Sequence, residues 1–475
     1  MRPSSLALTR ADLPLLGAGA FMTVASALAA IRIGGTLSVG LLFGITMFFF
    51  FVAGFMAFPH ITIAAMIPTF ALIPALKVLL LPWIGPLKDV LTLAAIAAAF
   101  VLVIQRSGEG HRQQGDFWVG AIVVFLIGLY LVNLGGHMER DVAWGQGLRL
   151  MSEPLLLLLV GMLLSNARRT LRWAIASLVA TGVFVALTGI AQQVVGPDKL
   201  VAWGYSYTLQ VRLIGDRLRS FGTMDESFVY AAFLLLALAA LLFWYRRGIM
   251  VVVAGSVIVV GLAFAQVRTS LIICIALLGL WLARSHRPTV AVFLLTAAVT
   301  SAAAILVWSS SGTESRTVRA GPSLFLTING RTEGWKIVLN NPRTWAVGKG
   351  VGEVGVAAER ATYSVSRRER DLEKESSAVD SGYFALIADV GFIGLVAFFA
   401  LAGRLLSLAK RAIDRGSRIG WLTVAFLTIL LLDAVTRDSF TGFPSAFLGM
   451  LLVGVSLAAA EEEGEELAEV RAPAR

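Results

Sequence analysis

Arg212, Arg217 and Arg219 stand close together, and a fourth arginine, Arg268, sits between two apolar runs with almost no loop around it. A guanidinium presents a planar fork of donors that matches phosphate oxygens. The chemistry open to such a cluster is recognition of a phosphate or pyrophosphate and stabilisation of its negative charge. A carboxylate, Asp380, opens a later apolar run in Val379-Asp380-Ser381-Gly382-Tyr383-Phe384. It can cap that helix, and facing arginines across a cavity it can also accept a proton from a hydroxyl as general base. The two roles are compatible. Before it come Gly330-Arg331-Thr332-Glu333-Gly334-Trp335, then Asn341-Pro342-Arg343 and Gly348-Lys349-Gly350-Val351-Gly352. The glycine run lacks both the Gly-Lys-Ser/Thr ending and the preceding strand of a nucleotide-binding loop. It reads as a tight turn after a short helix. Arg331, Trp335 and Tyr383 are candidates for contact with sugar or phosphate; for Trp335 packing is the competing role.

The elements that must position these groups are membrane spans. The hydrophobic fraction is 57% and the mean hydropathy is +0.80. Apolar stretches of about 20 residues, the length that crosses a hydrocarbon core, recur along nearly the whole chain. The reading is an all-α, polytopic integral membrane protein of about 14 helices. The spans lie near 13–31, 36–57, 61–83, 87–105, 117–134, 150–165, 173–195, 228–245, 249–266, 270–283, 289–308, 382–402, 419–435 and 440–460. The third and fourth are interrupted by Lys77, Pro82, Pro86 and Lys88. Residues 1–308 thus hold the first eleven spans, 309–381 form one long external loop, 382–460 hold the last three spans and 461–475 are an acidic tail. The first 12 residues carry no cleavable signal pattern, so the first apolar run is expected to stay as a span.

Orientation follows from the cationic loops. Arg106 and Arg112, then Arg168, Arg169 and Arg172, Arg246 and Arg247, Arg284 and Arg287, and Arg404 through Arg418 fall in every second loop. The positive-inside bias makes that side cytoplasmic. Both termini are then cytoplasmic, with 461–466 as a solvated acidic end. The net charge of +10 is scattered through these loops, which fits topology rather than nucleic-acid binding. The lone Cys274 lies inside an apolar run and excludes a disulfide framework or a cysteine metal site. No acidic pair in the external loops has the look of a metal site, and no cofactor is expected.

In this orientation Arg212, Arg217, Arg219 and Arg268 lie on the external face, where the bias works against them. Snorkelling to outer headgroups is the plain alternative for the first three, whereas a cavity suits Arg268 better. The same face carries a short loop, 135–149, with His137, Glu139, Arg140 and Asp141. Within the long loop, 332–340 can form a short interfacial helix ended by Asn340-Asn341-Pro342, and 351–375 a second helical piece.

Taken in order and spacing, several motifs resemble the O-antigen ligase and O-antigen polymerase superfamily of bacterial membrane glycosyltransferases. They are the arginine before Gly222-Thr223, Arg268, Arg331 with Trp335 and Asn341-Pro342, Gly348-Lys349-Gly350, and Asp380-Ser381-Gly382-Tyr383 with Asp389-Val390-Gly391-Phe392-Ile393-Gly394. The resemblance implies a GT-C-like fold in the bacterial inner membrane with its active site on the periplasmic face. It implies a glycan donor carried on undecaprenyl pyrophosphate, a glycan or lipid-linked acceptor, a chain-length regulator as a further partner, and inverting transfer without a metal. Arg219 and Arg268 would bind the pyrophosphate and stabilise the leaving group, with Arg217 and Arg212 beside them. The residue opening the span after the long loop would activate the acceptor. Ligases have a histidine there, and this chain has Asp380, a departure that favours a polymerase over transfer to lipid A core. A transporter or flippase is the alternative from another class. It predicts charges near the midplane of several spans and an internal repeat, whereas here the charges cluster at one face beneath a long loop.

Overall fold

The computed structural model describes residues 36–80, 84–108, 116–132, 141–164, 166–207, 210–214, 217–245, 248–285, 338–340, 342–352, 354 and 381–471. The expected spans 13–31 and 289–308 lie outside these residues, as do His137, Arg331, Trp335, Asp380 and most of the long loop. The remaining expected spans all fall on helices. In chain order these are α1 (Thr36–Ala57), α2 (Pro59–Leu79), α3 (Leu87–Gly108), α4 (Phe117–Val132), α5 (Asp141–Met162) and α6 (Ala167–Val195). There follow a short α7 (Pro197–Ala202), then α8 (Ser227–Trp244), α9 (Ile249–Ala265), α10 (Arg268–Ser285) and a short α11 (Pro342–Val347). The chain closes with α12 (Gly382–Asp414), α13 (Ile419–Asp433) and α14 (Ser445–Arg471). Six of them, α2, α3, α6, α8, α12 and α14, are long and apolar enough to cross a membrane. The protein is an all-α membrane protein whose only strands among the described residues form an antiparallel hairpin of β1 (Arg212–Ile214) and β2 (Arg217–Arg219).

Two helices are apolar on every side and accordingly sit at the centre. Residues 229–241 of α8 and 445–457 of α14 are buried without interruption. α14 lies directly against α5 because glycines face each other. A Cβ on Gly161 would come 2.6 Å from the Leu451 carbonyl oxygen, and one on Gly454 would meet the Leu158 carbonyl. Small residues at such crossings let backbones approach where no hydrophobic force drives association. In α2, Pro68 has no N–H for the Ala64 carbonyl; the Ser177 hydroxyl of α6 donates to it instead, at 2.6 Å.

Among the described residues, Arg168, Arg284, Arg404, Arg411 and Arg418 of the alternate loops gather at one end of the bundle, near the acidic residues of α14. Glu462 accepts from the backbone N–H groups of Ala167 (2.9 Å) and Arg168 (3.1 Å), at the start of α6. Glu463 accepts from the Ser417 hydroxyl (2.6 Å) and from the N–H groups of Arg418 (2.9 Å) and Ile419 (3.2 Å), at the start of α13. Glu466 pairs with Arg168 at 2.8 Å. Asp116, capping α4 and ion-paired to Arg404, lies at the same end, and the Arg404 guanidinium holds its carboxyl below the usual range. Segment 461–466 is therefore not the solvated end expected: it continues α14 and caps two helices whose own N-cap residues make no capping bond. Glu463→Ala strands three donors and is expected to lower stability by roughly 1–3 kcal/mol. Thermal unfolding of purified protein in detergent reads this directly, with Glu463→Gln losing less.

Candidate functional site

At the opposite end of the bundle, the hairpin carries three of the four arginines. Its register pairs Arg212 with Arg219, Leu213 with Leu218 and Ile214 with Arg217. Paired residues and alternate residues share a face, so Arg212, Arg217 and Arg219 all lie on one side. Leu218, on the other, packs in a small core with Leu200, Tyr205, Val211 and Phe221. Burial, with the Asp225 charge nearby, pushes the Tyr205 hydroxyl up to about 12. Like charges directly opposite in a ladder cost stability, and an anion on the arginine face offsets that cost. The charges are partly held in place. Arg212 lies 3.9 Å from Glu226, and the Arg219 guanidinium carbon lies 4.7 Å from the centre of the Phe228 ring.

The turn after the hairpin is bolted to α6 and α9. The Gln192 carbonyl oxygen accepts from the N–H groups of Phe221 (3.0 Å) and Gly222 (2.9 Å), and its amide donates to the Gly222 carbonyl at 2.7 Å. Gln193 donates to Leu218 O at 2.9 Å, and Ser220 N donates to Phe264 O at 3.0 Å. Thr223 donates to Ala71 O of α2 at 2.7 Å. Gly222 has φ +58°, and a Cβ there would lie 2.6 Å from the Tyr230 ring. Gln192→Leu is expected to cost roughly 2–4 kcal/mol, since it leaves three buried backbone groups unsatisfied. Faster tryptic cleavage at Arg212–Arg219 would accompany the loss of thermal stability.

Arg219 and Arg268 meet at the α9–α10 turn. Arg219 Nε donates to Ala265 O at 3.4 Å. Gln266, with φ 51°, reverses the chain, and Arg268 opens α10. The next residue, Thr269, places its hydroxyl 2.7 Å from that of Thr436. This second turn in turn anchors the start of α12. Gly382 N donates to Ala434 O (2.9 Å) and Arg437 O (2.8 Å), and the Ser381 hydroxyl donates to Ala434 O at 3.2 Å. Arg219, Arg268 and Ser381, the neighbour of Asp380, are thus joined by one continuous chain of contacts. Tyr383 is held as a structural strut. Its hydroxyl donates to Leu431 O at 2.7 Å and its ring stacks on Phe399 at 5.3 Å.

The sequence reading missed Arg437, whose Nε donates to Asp433 at 2.7 Å and whose Nη2 donates to the Ser445 hydroxyl at 3.1 Å. The signal was present. Residues 436–439 form a short loop between the last two spans, on the same face as Arg268, so the bias that singles out Arg268 singles out Arg437 too.

The glycine run does more than turn. Gly348, Gly350 and Gly352 have φ of 90°, 126° and 89°, and the run lies against a break in α12 at Gly391, where φ is 74° and ψ −175°. The break frees backbone carbonyls inside a helix. Lys349 N donates to Ala388 O at 2.6 Å and Gly350 N to Asp389 O at 3.2 Å. Non-helical backbone at membrane depth is tolerated only where it is satisfied in this way. Residues 338–339 are helical and 340 is a turn, as expected of a stop at Asn340-Asn341-Pro342, and Pro342 then begins α11 with its missing N–H at a position that needs none.

Below the start of α12 lies a small cleft of about 30 Å³ lined by Tyr130, Pro154, Gly382, Asp389, Asp438 and Phe440 among others. Asp389 is 5% and Tyr130 2% exposed. Among the described residues no group of three potential ligands could hold a metal ion. No protein-family model matches the chain, and no curated protein matches it.

Proposed function

We propose that the chain is a membrane glycan polymerase. A growing glycan leaves undecaprenyl pyrophosphate and joins a sugar hydroxyl of another lipid-linked repeat unit, with inversion and without a metal. The observation that carries the reading is the arginine face of the hairpin, fixed to the turn that presents Arg268, at the end of the bundle away from the cation-rich loops. In this reading that end faces the periplasm and the membrane is the bacterial inner membrane.

The acceptor oxygen attacks the anomeric carbon and forms the new C–O bond, while the bond from that carbon to the pyrophosphate oxygen breaks. The acceptor proton passes to a base, for which Asp380 is the candidate, and the charge left on the pyrophosphate is met by Arg219 and Arg268. Pyrophosphate is already a good leaving group, so positioning and charge stabilisation can supply most of the acceleration. The resemblance of the Asp380–Gly394 region and of the arginine motifs to O-antigen polymerases and ligases supports the same chemistry.

The test is purified protein in proteoliposomes with mass-tagged lipid-linked repeat units. Longer chains on the same lipid are expected. Transfer only to a distinct acceptor would make it a ligase, and movement of the lipid across the bilayer without a new bond would overturn the enzyme reading.

A further inference from the structure

Tyr230, near the start of α8, is fully buried, and the transfer chemistry gives it no part. Its side chain packs against glycines of three elements. The ring lies against Gly222 in the turn after the hairpin, and the hydroxyl meets both Gly189 of α6 and Gly261 of α9. A Cβ on Gly189 would overlap that hydroxyl, one on Gly261 would lie 2.8 Å from it, and one on Gly222 would lie 2.6 Å from the ring. Glycine inside a helix gives up side-chain packing and helix propensity, so two of them facing one hydroxyl form a socket cut for it. No hydrogen bond rewards the fit. Among the described residues the Tyr230 hydroxyl has no partner. Buried polar groups in native proteins are almost always satisfied, and by hydrogen bonds alone phenylalanine would serve better here. What the oxygen contributes is bulk at a crossing.

The elements that meet at this crossing are the ones that carry the arginines. The Gly222 turn continues from β2, with Ser220 N donating to Phe264 O and Arg219 Nε to Ala265 O of α9. One turn beyond Gly261, α9 ends in the reversal that presents Arg268. Close-packed interiors pass a small displacement on instead of absorbing it. We propose that Tyr230 is a positioning residue, a spacer that holds the Gly222 turn at a fixed height on α6 and α9 and thereby sets the distance between Arg219 and Arg268. Two guanidinium groups at a fixed distance can each take one phosphoryl group of a pyrophosphate, whereas a monophosphate occupies one of them. The spacer therefore acts on the preference for pyrophosphate over monophosphate. This deepens the glycan-transfer reading and rests on it, since it takes the arginine face as the pyrophosphate site.

Calorimetric titration of the full chain in nanodiscs tests it, with farnesyl pyrophosphate and farnesyl monophosphate as probes and empty nanodiscs as the blank. Tyr230→Phe removes one oxygen, and Tyr230→4-fluorophenylalanine returns its bulk without the O–H donor. Wild type is expected to prefer the pyrophosphate. Tyr230→Phe is expected to bind the pyrophosphate about tenfold more weakly, with monophosphate affinity and unfolding temperature close to wild type. The fluorinated side chain should recover most of the loss. If wild type binds the pyrophosphate and Tyr230→Phe binds it equally well, the spacer role is overturned and the arginine site stands. A parallel loss of both probes with a lowered unfolding temperature also overturns it, because that is the mark of packing alone. A fluorinated variant as weak as Tyr230→Phe makes the hydroxyl a polar participant and overturns the spacer. If wild type binds neither probe, the pyrophosphate site itself is misplaced and the spacer role falls with it.

Discussion

Arg268→Ala, in membranes holding it at wild-type abundance, is expected to leave lipid-linked repeat units as single units. Removing one preorganised donor to a developing negative charge costs about a hundred- to a thousandfold in rate. Arg268 opens α10 just past the reversal at Gln266, so the turn fixes its backbone. Arg268→Lys should recover only part of the activity, because an ammonium restores the charge without the fork. Arg219→Ala should fall close to Arg268→Ala, since both residues hang on the same turn. Arg212→Ala should lose less, because Glu226 at 3.9 Å already offsets part of that charge. Chain-length distribution on the carrier lipid decides the matter, and normal elongation by Arg268→Ala would remove the site from where it is placed here. Asp380→Asn in the same assay separates the roles of that carboxylate: normal elongation leaves it a helix cap, and single units make it the base.

Gly391→Ala is expected to be the most damaging small substitution away from the arginines. At φ 74° and ψ −175° the residue occupies a region that is essentially reserved for glycine. A Cβ there would also lie 2.5 Å from the Ala346 carbonyl oxygen, which belongs to α11 and cannot yield as a side-chain end could. Strain and overpacking together come to roughly 2–6 kcal/mol. The expected result is a lowered unfolding temperature together with loss of elongation, because the same contact seats the glycine run against Asp389. Gly394→Ala, one turn on, meets only the Val390 side chain and should be milder. Equal effects from the two substitutions would mean that the break in α12 carries no special role.

Helix positions were legible because apolar length alone sets them, and among the described residues Arg168, Arg284 and Arg404 do fall at one end of the bundle. The hairpin was not legible. Its strands have three residues each, too few for a period-two pattern to stand out among arginines selected for their charge. The break at Gly391 lies in an apolar run that reads as uninterrupted helix, and only the glycines of a distant loop require it. Asp389 was visible as part of a motif, but Tyr130, which lines the same cleft, comes from α4. Within the candidate site, Arg219, Arg268 and the start of α12 stand out in the sequence. It could not place them on shared turns, because Thr269 and Thr436, which join them, are 167 residues apart.

The capping of α6 by Glu462 spans 295 residues, and that separation bears on how the protein is made. A helix start inserted early must wait, with its first N–H groups turned to water or headgroups, until α14 arrives to occupy them. The same arrival completes α13. The arrival of α14 therefore fastens two earlier elements at once. A chain halted before residue 462 would hold every arginine of the proposed site yet lack that fastening, and surveillance proteases would find it by its unsealed helix ends rather than by any fault in the site.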